Sequence, residues 1–133
     1  MFRSAFKRSR CLIPATSFFE WQRAEDQKQP YLIAMADGSP MTFAGLWEVW
    51  NDPMSGEETR SCTLLTTTSN EFMQPIHSRM PVILTPDEFL VWLKGDAASV
   101  LKPCNDNLLR AHKVSRAVGN VRNNGPELLE PVE

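Results

Sequence analysis

Apolar and polar residues alternate over several short runs of the chain, and turns rich in Gly, Pro and Asp separate these runs. Alternation of this kind is typical of β-strands that bury one face. The predicted strands cover residues 11–13, 17–22, 31–35, 41–50, 61–66 and 114–118. Pro14 is expected to end the first strand, and Trp47 and Trp50 are expected in the core. Most of the chain is therefore predicted to form antiparallel sheet.

One longer helix is predicted after a buried apolar run at residues 82–84. Thr85 is a suitable N-cap, Pro86 suits the first helical position, and Gly95 suits the end. Shorter helical turns are expected within residues 2–10 and 97–101. The pattern as a whole indicates an α+β fold, β-rich and antiparallel, with a few short helices.

The chain has 133 residues, 42% of them hydrophobic, and a formal net charge of -2. These values fit one domain over residues 1–133 and give no overall positive charge for nucleic-acid binding. Basic residues are nevertheless concentrated in residues 1–10 and 107–126, which contain no acidic residue. If these stretches meet, they would form a positive face suited to a nucleic-acid backbone; otherwise they are solvated surface charges.

Three cysteines, Cys11, Cys62 and Cys104, lie far apart without a CxxC pair or a regular His spacing. This pattern argues against a disulfide framework and a structural metal, and no cofactor motif is found. No apolar run is long enough to span a membrane. We expect an intracellular, cytoplasmic protein without membrane contact, nucleoid-associated in a bacterium.

His77 and Arg79 lie two residues apart, before the buried run at residues 82–84. In an extended segment their side chains would share one face. An imidazole exchanges protons near neutral pH, and a guanidinium binds phosphate or carboxylate. The pair is a candidate for acid/base chemistry and anion binding, although a solvated His and Arg at a strand end would look the same.

Glu20 lies between Phe19 and Trp21 in the second predicted strand, where Phe18, Glu20 and Gln22 share a face. A carboxylate among aromatic rings loses part of its hydration, which favours its protonated form and suits general acid/base work. A glutamate on the solvated face of a half-buried strand is the alternative.

Five motifs of the chain resemble, in order and spacing, those of the SRAP (SOS response-associated peptidase) family. They are RCLIPA at 10–15, FEW at 19–21, AGLW at 44–47, IHSRMP at 76–81 and VSRAVGN at 114–120. The resemblance implies a β-barrel-like domain with a positive groove for single-stranded DNA that contains abasic sites. It also implies that Glu20 and His77 are catalytic and that Arg79 and Thr66 contact DNA near the lesion.

In the family, the α-amine of an N-terminal cysteine attacks the aldehyde of the ring-opened abasic sugar, and its thiol closes a thiazolidine ring. The same cysteine is proposed to cleave a propeptide in some members. The Met-Cys-Gly-Arg segment and an Asn-Ala-Arg motif are not found in the chain, and Cys11 has no free α-amine. The sequence is therefore interpreted as a partial SRAP domain: a fragment, a late-started reading frame or a relative without the nucleophile.

Two other functions stay open. One is a catalytically inactive single-stranded nucleic-acid-binding module, and the other is a hydrolase or metal site built from His77, Glu20 and His112. The spacings of these three residues along the chain fit no known metal-binding motif. The resemblance implies that the missing N-terminal segment supplies part of the barrel, so its absence would leave unpaired strand edges, which favour a homodimer or a swapped assembly.

Overall fold

The computed structural model describes residues 2–133. It contains two short α-helices, eight strands and several 3₁₀ turns. The α-helices are α1 (Arg3–Arg8) and α2 (Phe89–Lys94), and the strands are β1 (Arg10–Ala15), β2 (Ser17–Arg23), β3 (Lys28–Met35), β4 (Met41–Asn51), β5 (Glu58–Leu64), β6 (Thr66–Thr68), β7 (Arg79–Pro81) and β8 (Leu109–Lys113). The predicted β-rich α+β class is confirmed.

The strands pair antiparallel in three sheets, in the orders β1-β4-β5, β2-β3-β8 and β6-β7. Among residues 2–133 these sheets do not close into a barrel. The main-chain N–H of Val82 donates to Leu65 O at 2.8 Å, and that of Ala44 donates to Val82 O at 3.0 Å. These bonds hold the segment after β7 against β4, which places the third sheet beside the first.

Two apolar clusters form most of the core. One lies between the first sheet and α2, around the fully buried Trp92, whose indole N–H donates to Cys11 O at 2.9 Å. The other fills the space between the first and second sheets and contains Ile33, Phe43 and Met73. Burial of this apolar surface is the main stabilising contribution to the fold.

The helical segment predicted at residues 85–95 is confirmed, as a 3₁₀ turn followed by an α-helix. Thr85 caps a 3₁₀ turn at Pro86–Glu88 through a capping box, with Thr85 N–H donating to Glu88 Oε1 at 3.0 Å, and α2 follows directly. α2 ends at Gly95, where a side chain would contact the main chain of Val91 at 3.1 Å. The α2 helix thus has 6 residues, with the 3₁₀ turn before it.

Three local predictions are wrong. β1 continues through Pro14, because β1 is an edge strand and its outer side needs no N–H donor. Trp47 and Trp50 are exposed, since β4 extends past the core as a hairpin with β5. The strand expected at residues 114–118 lies earlier, at Leu109–Lys113, and Arg116–Gly119 is a 3₁₀ turn capped by Ser115.

All seven residues of β5 are exposed, and β5 is an edge strand. An uncovered edge of this kind can pair with another chain, so the homodimer stays a prediction. Within the described part of the chain, no helix is long and apolar enough to cross a membrane.

Candidate active site

One cleft contains all four residues that the sequence singles out. Its volume is about 290 Å³. Its polar lining consists of Glu20, Thr66, His77 and Arg79, and its apolar lining of Phe18, Phe19, Phe43, Leu64, Met80 and Pro81. A few polar side chains that converge in a cleft with apolar walls are typical of a binding or catalytic site.

Glu20 reaches the cleft from β2. It is half-buried, and its Oε1 accepts a hydrogen bond from the main-chain N–H of Trp21 at 3.1 Å. Tyr31 lies directly opposite Glu20 on β3. No protein donor is found for Oε2 among residues 2–133, so this oxygen is available to a ligand.

His77 lies in the loop before β7, where its main-chain N–H donates to Met73 O at 2.9 Å. Its Nδ1 is 3.0 Å from both the N–H nitrogen and the carbonyl oxygen of Arg79. A neutral ring accepts from the N–H, and a protonated ring donates to the carbonyl, so the ring has an anchor in both protonation states. Nδ1 is used by the main chain of Arg79 in either case, so Nε2 is the ring nitrogen that faces a ligand, and it has no protein partner in the described part of the chain.

Arg79 on β7 lies directly opposite Thr68 on β6, and Thr66 lies two residues along β6 from Thr68. Nη2 of Arg79 donates to Oγ1 of Thr66 at 3.0 Å, and Arg79 is exposed. The one ion pair found among residues 2–133 joins Arg60 and Glu58, so Arg79 forms none with Glu20. Its remaining N–H groups can therefore bind a phosphate oxygen.

The cysteines lie outside this cleft. Burial, followed by the charge of Cys62, raises the pKa of the Cys11 thiol, and burial raises the pKa of Cys104 to about 11. A thiol with a raised pKa holds little of the reactive thiolate at neutral pH. Neither Cys11 nor Cys104 has the environment of an activated nucleophile.

His112 is also remote from the cleft. It lies on β8 opposite Leu32, and its Nε2 is 2.8 Å from Leu129 O. Leu32 pairs with Phe19, the neighbour of Glu20, and successive side chains of a strand point to opposite faces. His112 therefore lies on the other face of this sheet from Glu20, and it does not line the cleft. The prediction of a hydrolase or metal site built from His77, Glu20 and His112 is wrong, because the three side chains do not meet.

Sequence reasoning did not find Phe43 and Leu64, which form part of the cleft wall. Both follow the alternation of their strands, but nothing local distinguishes a cleft wall from the core. The predicted position of Phe18 on the same face as Glu20 agrees with the structure, where both side chains line the cleft.

The model of the SOS response associated peptidase (SRAP) family matches residues 1–121. The chain belongs to the SRAP family. Its predicted relationship to this family is thus confirmed, over nearly the whole of the sequence.

Several relatives in the SRAP family have names that state a function. The chain is 40% identical over 136 residues to the abasic site processing protein YoqW of Bacillus subtilis, covering 97% of this chain and 60% of YoqW. It is 34% identical over 142 residues to the abasic site processing protein YedK of Escherichia coli, covering 99% of this chain and 62% of YedK. The chain thus spans about three fifths of the length of these relatives.

A vertebrate protein and a solved structure are also similar. The abasic site processing protein HMCES of Xenopus tropicalis is 37% identical over 153 residues, with 97% of this chain and 45% of HMCES covered. A crystal structure of a Bacteroides thetaiotaomicron protein superimposes with a TM-score of 0.90 at 30% identity, covering 99% of this chain and 60% of that chain. The fold is therefore shared with a protein of known structure.

Proposed function

We propose that this chain binds single-stranded DNA at abasic sites and carries the acid/base and DNA-contacting residues of an abasic-site cleft. The observation that supports this most strongly is the single cleft formed by Glu20, Thr66, His77 and Arg79. The names of the SRAP relatives support the same substrate. In this proposal the domain extends over residues 1–133.

We infer a role for each cleft residue from the family resemblance, and the geometry supports these roles. Arg79, held by Thr66, binds a phosphate beside the lesion. Protonated His77 donates its Nε2 proton to the ring oxygen as the bond from that oxygen to the anomeric carbon breaks, and its Nδ1–H stays on the Arg79 carbonyl. The anomeric hydroxyl gives its proton to water, which leaves the aldehyde. The apolar walls fit a sugar that has lost its base, because no base-edge donors or acceptors must be satisfied there.

The covalent step needs a terminal cysteine presented to the same cleft. Its neutral α-amine adds to the aldehyde carbon, and Glu20 transfers the protons by which the carbinolamine loses water and becomes an imine. The thiol then adds to the imine carbon, and its proton passes to the nitrogen. The product is a thiazolidine, and one water is released overall.

Binding to DNA tests this proposal directly. Arg79→Ala should weaken binding of an abasic single strand by about tenfold, because a charge-assisted hydrogen bond is lost. The slope of log affinity against log salt should also fall by about 0.7, which corresponds to one phosphate contact on a single strand. Fluorescence anisotropy over a salt series measures both quantities.

Arg60→Ala is the matched control, because Arg60 pairs with Glu58 on β5 and does not line the cleft. It should leave the affinity for the abasic strand within twofold. Equal affinity of the unmodified chain for abasic and intact strands would contradict the proposed function.

A further inference from the structure

Glu20 and His77 come from parts of the chain that no main-chain hydrogen bond joins. β2, which contains Glu20, pairs with β3 alone. His77 is the last residue of a loop at residues 69–77. The main-chain hydrogen bonds of this loop join its residues to one another, except that the Ser69 N–H donates to Ser78 O. Among residues 2–133, the relative position of the two side chains therefore depends on side-chain contacts.

Gln22 provides such a contact. It lies on the same face of β2 as Glu20, and its Nε2 donates to the carbonyl of Pro75 at 2.8 Å. Pro75 precedes His77 by two residues. No other hydrogen bond in the described part of the chain joins β2 to this loop.

The amide of Gln22 is itself oriented by Tyr31. The hydroxyl of Tyr31 donates to Oε1 of Gln22 at 3.3 Å, and Tyr31 is the cross-strand partner of Glu20. Because Oε1 is used as an acceptor, Nε2 of the same amide is directed to Pro75 as a donor. Tyr31 and Gln22 thus connect the position opposite Glu20 to the loop.

The first half of the loop is held independently of Gln22. Asn70 donates to Cys104 O at 3.0 Å, the N–H of Phe72 donates to Asp106 Oδ1 at 3.0 Å, and Met73 is fully buried. Pro75 is exposed. The second half has internal bonds from the N–H groups of Ile76 and His77 to Met73 O, and the bond from Gln22 is the one hydrogen bond that ties it to β2.

We propose that Gln22 is a positioning residue, which holds His77 beside Glu20 through its hydrogen bond to the Pro75 carbonyl. This inference rests on the proposed function of the cleft. Gln22 does not line the cleft, and it acts on the reaction through His77 alone.

Hydrogen exchange of the 133-residue protein tests the positioning itself. Gln22→Met removes the amide at nearly constant size, and the amides of Ile76 and His77 should then exchange about three- to tenfold faster, as expected for one neutral hydrogen bond. Gln22→Lys keeps a donor for Pro75 and should restore slow exchange. If Gln22→Met does not fold, Tyr31→Phe, which loses only the hydroxyl, should give a smaller change at the same amides.

Gln29→Met is the matched control. Gln29 lies directly opposite Gln22, but its Nε2 donates to Pro30 O and Val114 O rather than to the loop. This variant should leave exchange at Ile76 and His77 unchanged. The chain has two histidines, so the ring signals of His77 should shift in Gln22→Met while those of His112 stay in place.

Affinity for DNA connects the positioning to function. Gln22→Met should lower the preference for an abasic over an intact strand about three- to tenfold, and Gln22→Lys should restore it. Unchanged exchange and ring signals in Gln22→Met, or faster exchange throughout the protein, would overturn the inference. If the loop responds as expected but the unmodified chain shows no preference for abasic DNA, the positioning stands and the proposed function is wrong.

Discussion

His77→Ala should slow covalent capture of abasic DNA by about a hundredfold or more, in a protein that combines this cleft with a family-type N-terminal cysteine. In the proposed mechanism the variant loses the Nε2 proton that opens the sugar ring, and the contacts of Nδ1 with the main chain of Arg79 fix the orientation of the ring. Single-turnover rates on denaturing gels measure the effect. Binding of the DNA should change much less, because Arg79 and Thr66 are retained.

His112→Ala is the control for this variant, because His112 lies on the other face of the second sheet. It should capture abasic DNA at the unmodified rate. Equal rates for His77→Ala and the unmodified protein would show that His77 moves no proton in the slow step.

Glu20→Gln should slow capture by about a hundredfold as well, through a different step. The amide keeps the size of the side chain and can still accept the hydrogen bond from the Trp21 N–H. It cannot exchange a proton as a carboxylate does, so the carbinolamine should lose water slowly. Trapping with borohydride should then detect less imine at early times than in the unmodified protein.

Glu25→Gln is the matched control, since Glu25 is an exposed residue of the loop between β2 and β3. Its rate should equal that of the unmodified protein. A Glu20→Gln variant that captures DNA at the full rate would leave Glu20 with a binding role only.

The strands could be predicted because alternation is a local signal, whereas Thr66 entered the candidate site only through the resemblance to the SRAP family. Alternation placed Glu20 and Gln22 on one face of β2, and Thr85 and Gly95 marked the ends of the helical segment. The spacing of His77 and Arg79 indicated a shared site, and the structure places both in one cleft with Glu20 and Thr66. Their roles in binding and catalysis stay predictions.

The remaining features depend on contacts between distant segments. The exposure of Trp47 results from the length of the hairpin beyond the core, which alternation alone does not reveal. Pro14 can stay within β1 only because that strand has a free edge, and strand order is not encoded locally. The hydrogen bond from Gln22 to Pro75 joins residues that are far apart in sequence, so it could not be predicted without the three-dimensional structure.

In the proposed function, this cleft processes abasic sites when a terminal cysteine reaches it. The most direct measurement compares, on a denaturing gel, the 133-residue chain with the same chain preceded by a family-type segment that begins with cysteine, each incubated with an abasic oligonucleotide. We predict a heat-stable adduct from the longer protein and none from the 133-residue chain, whose first residue offers an amine without a thiol. A heat-stable adduct from the 133-residue chain, or none from a folded longer protein, would contradict the account.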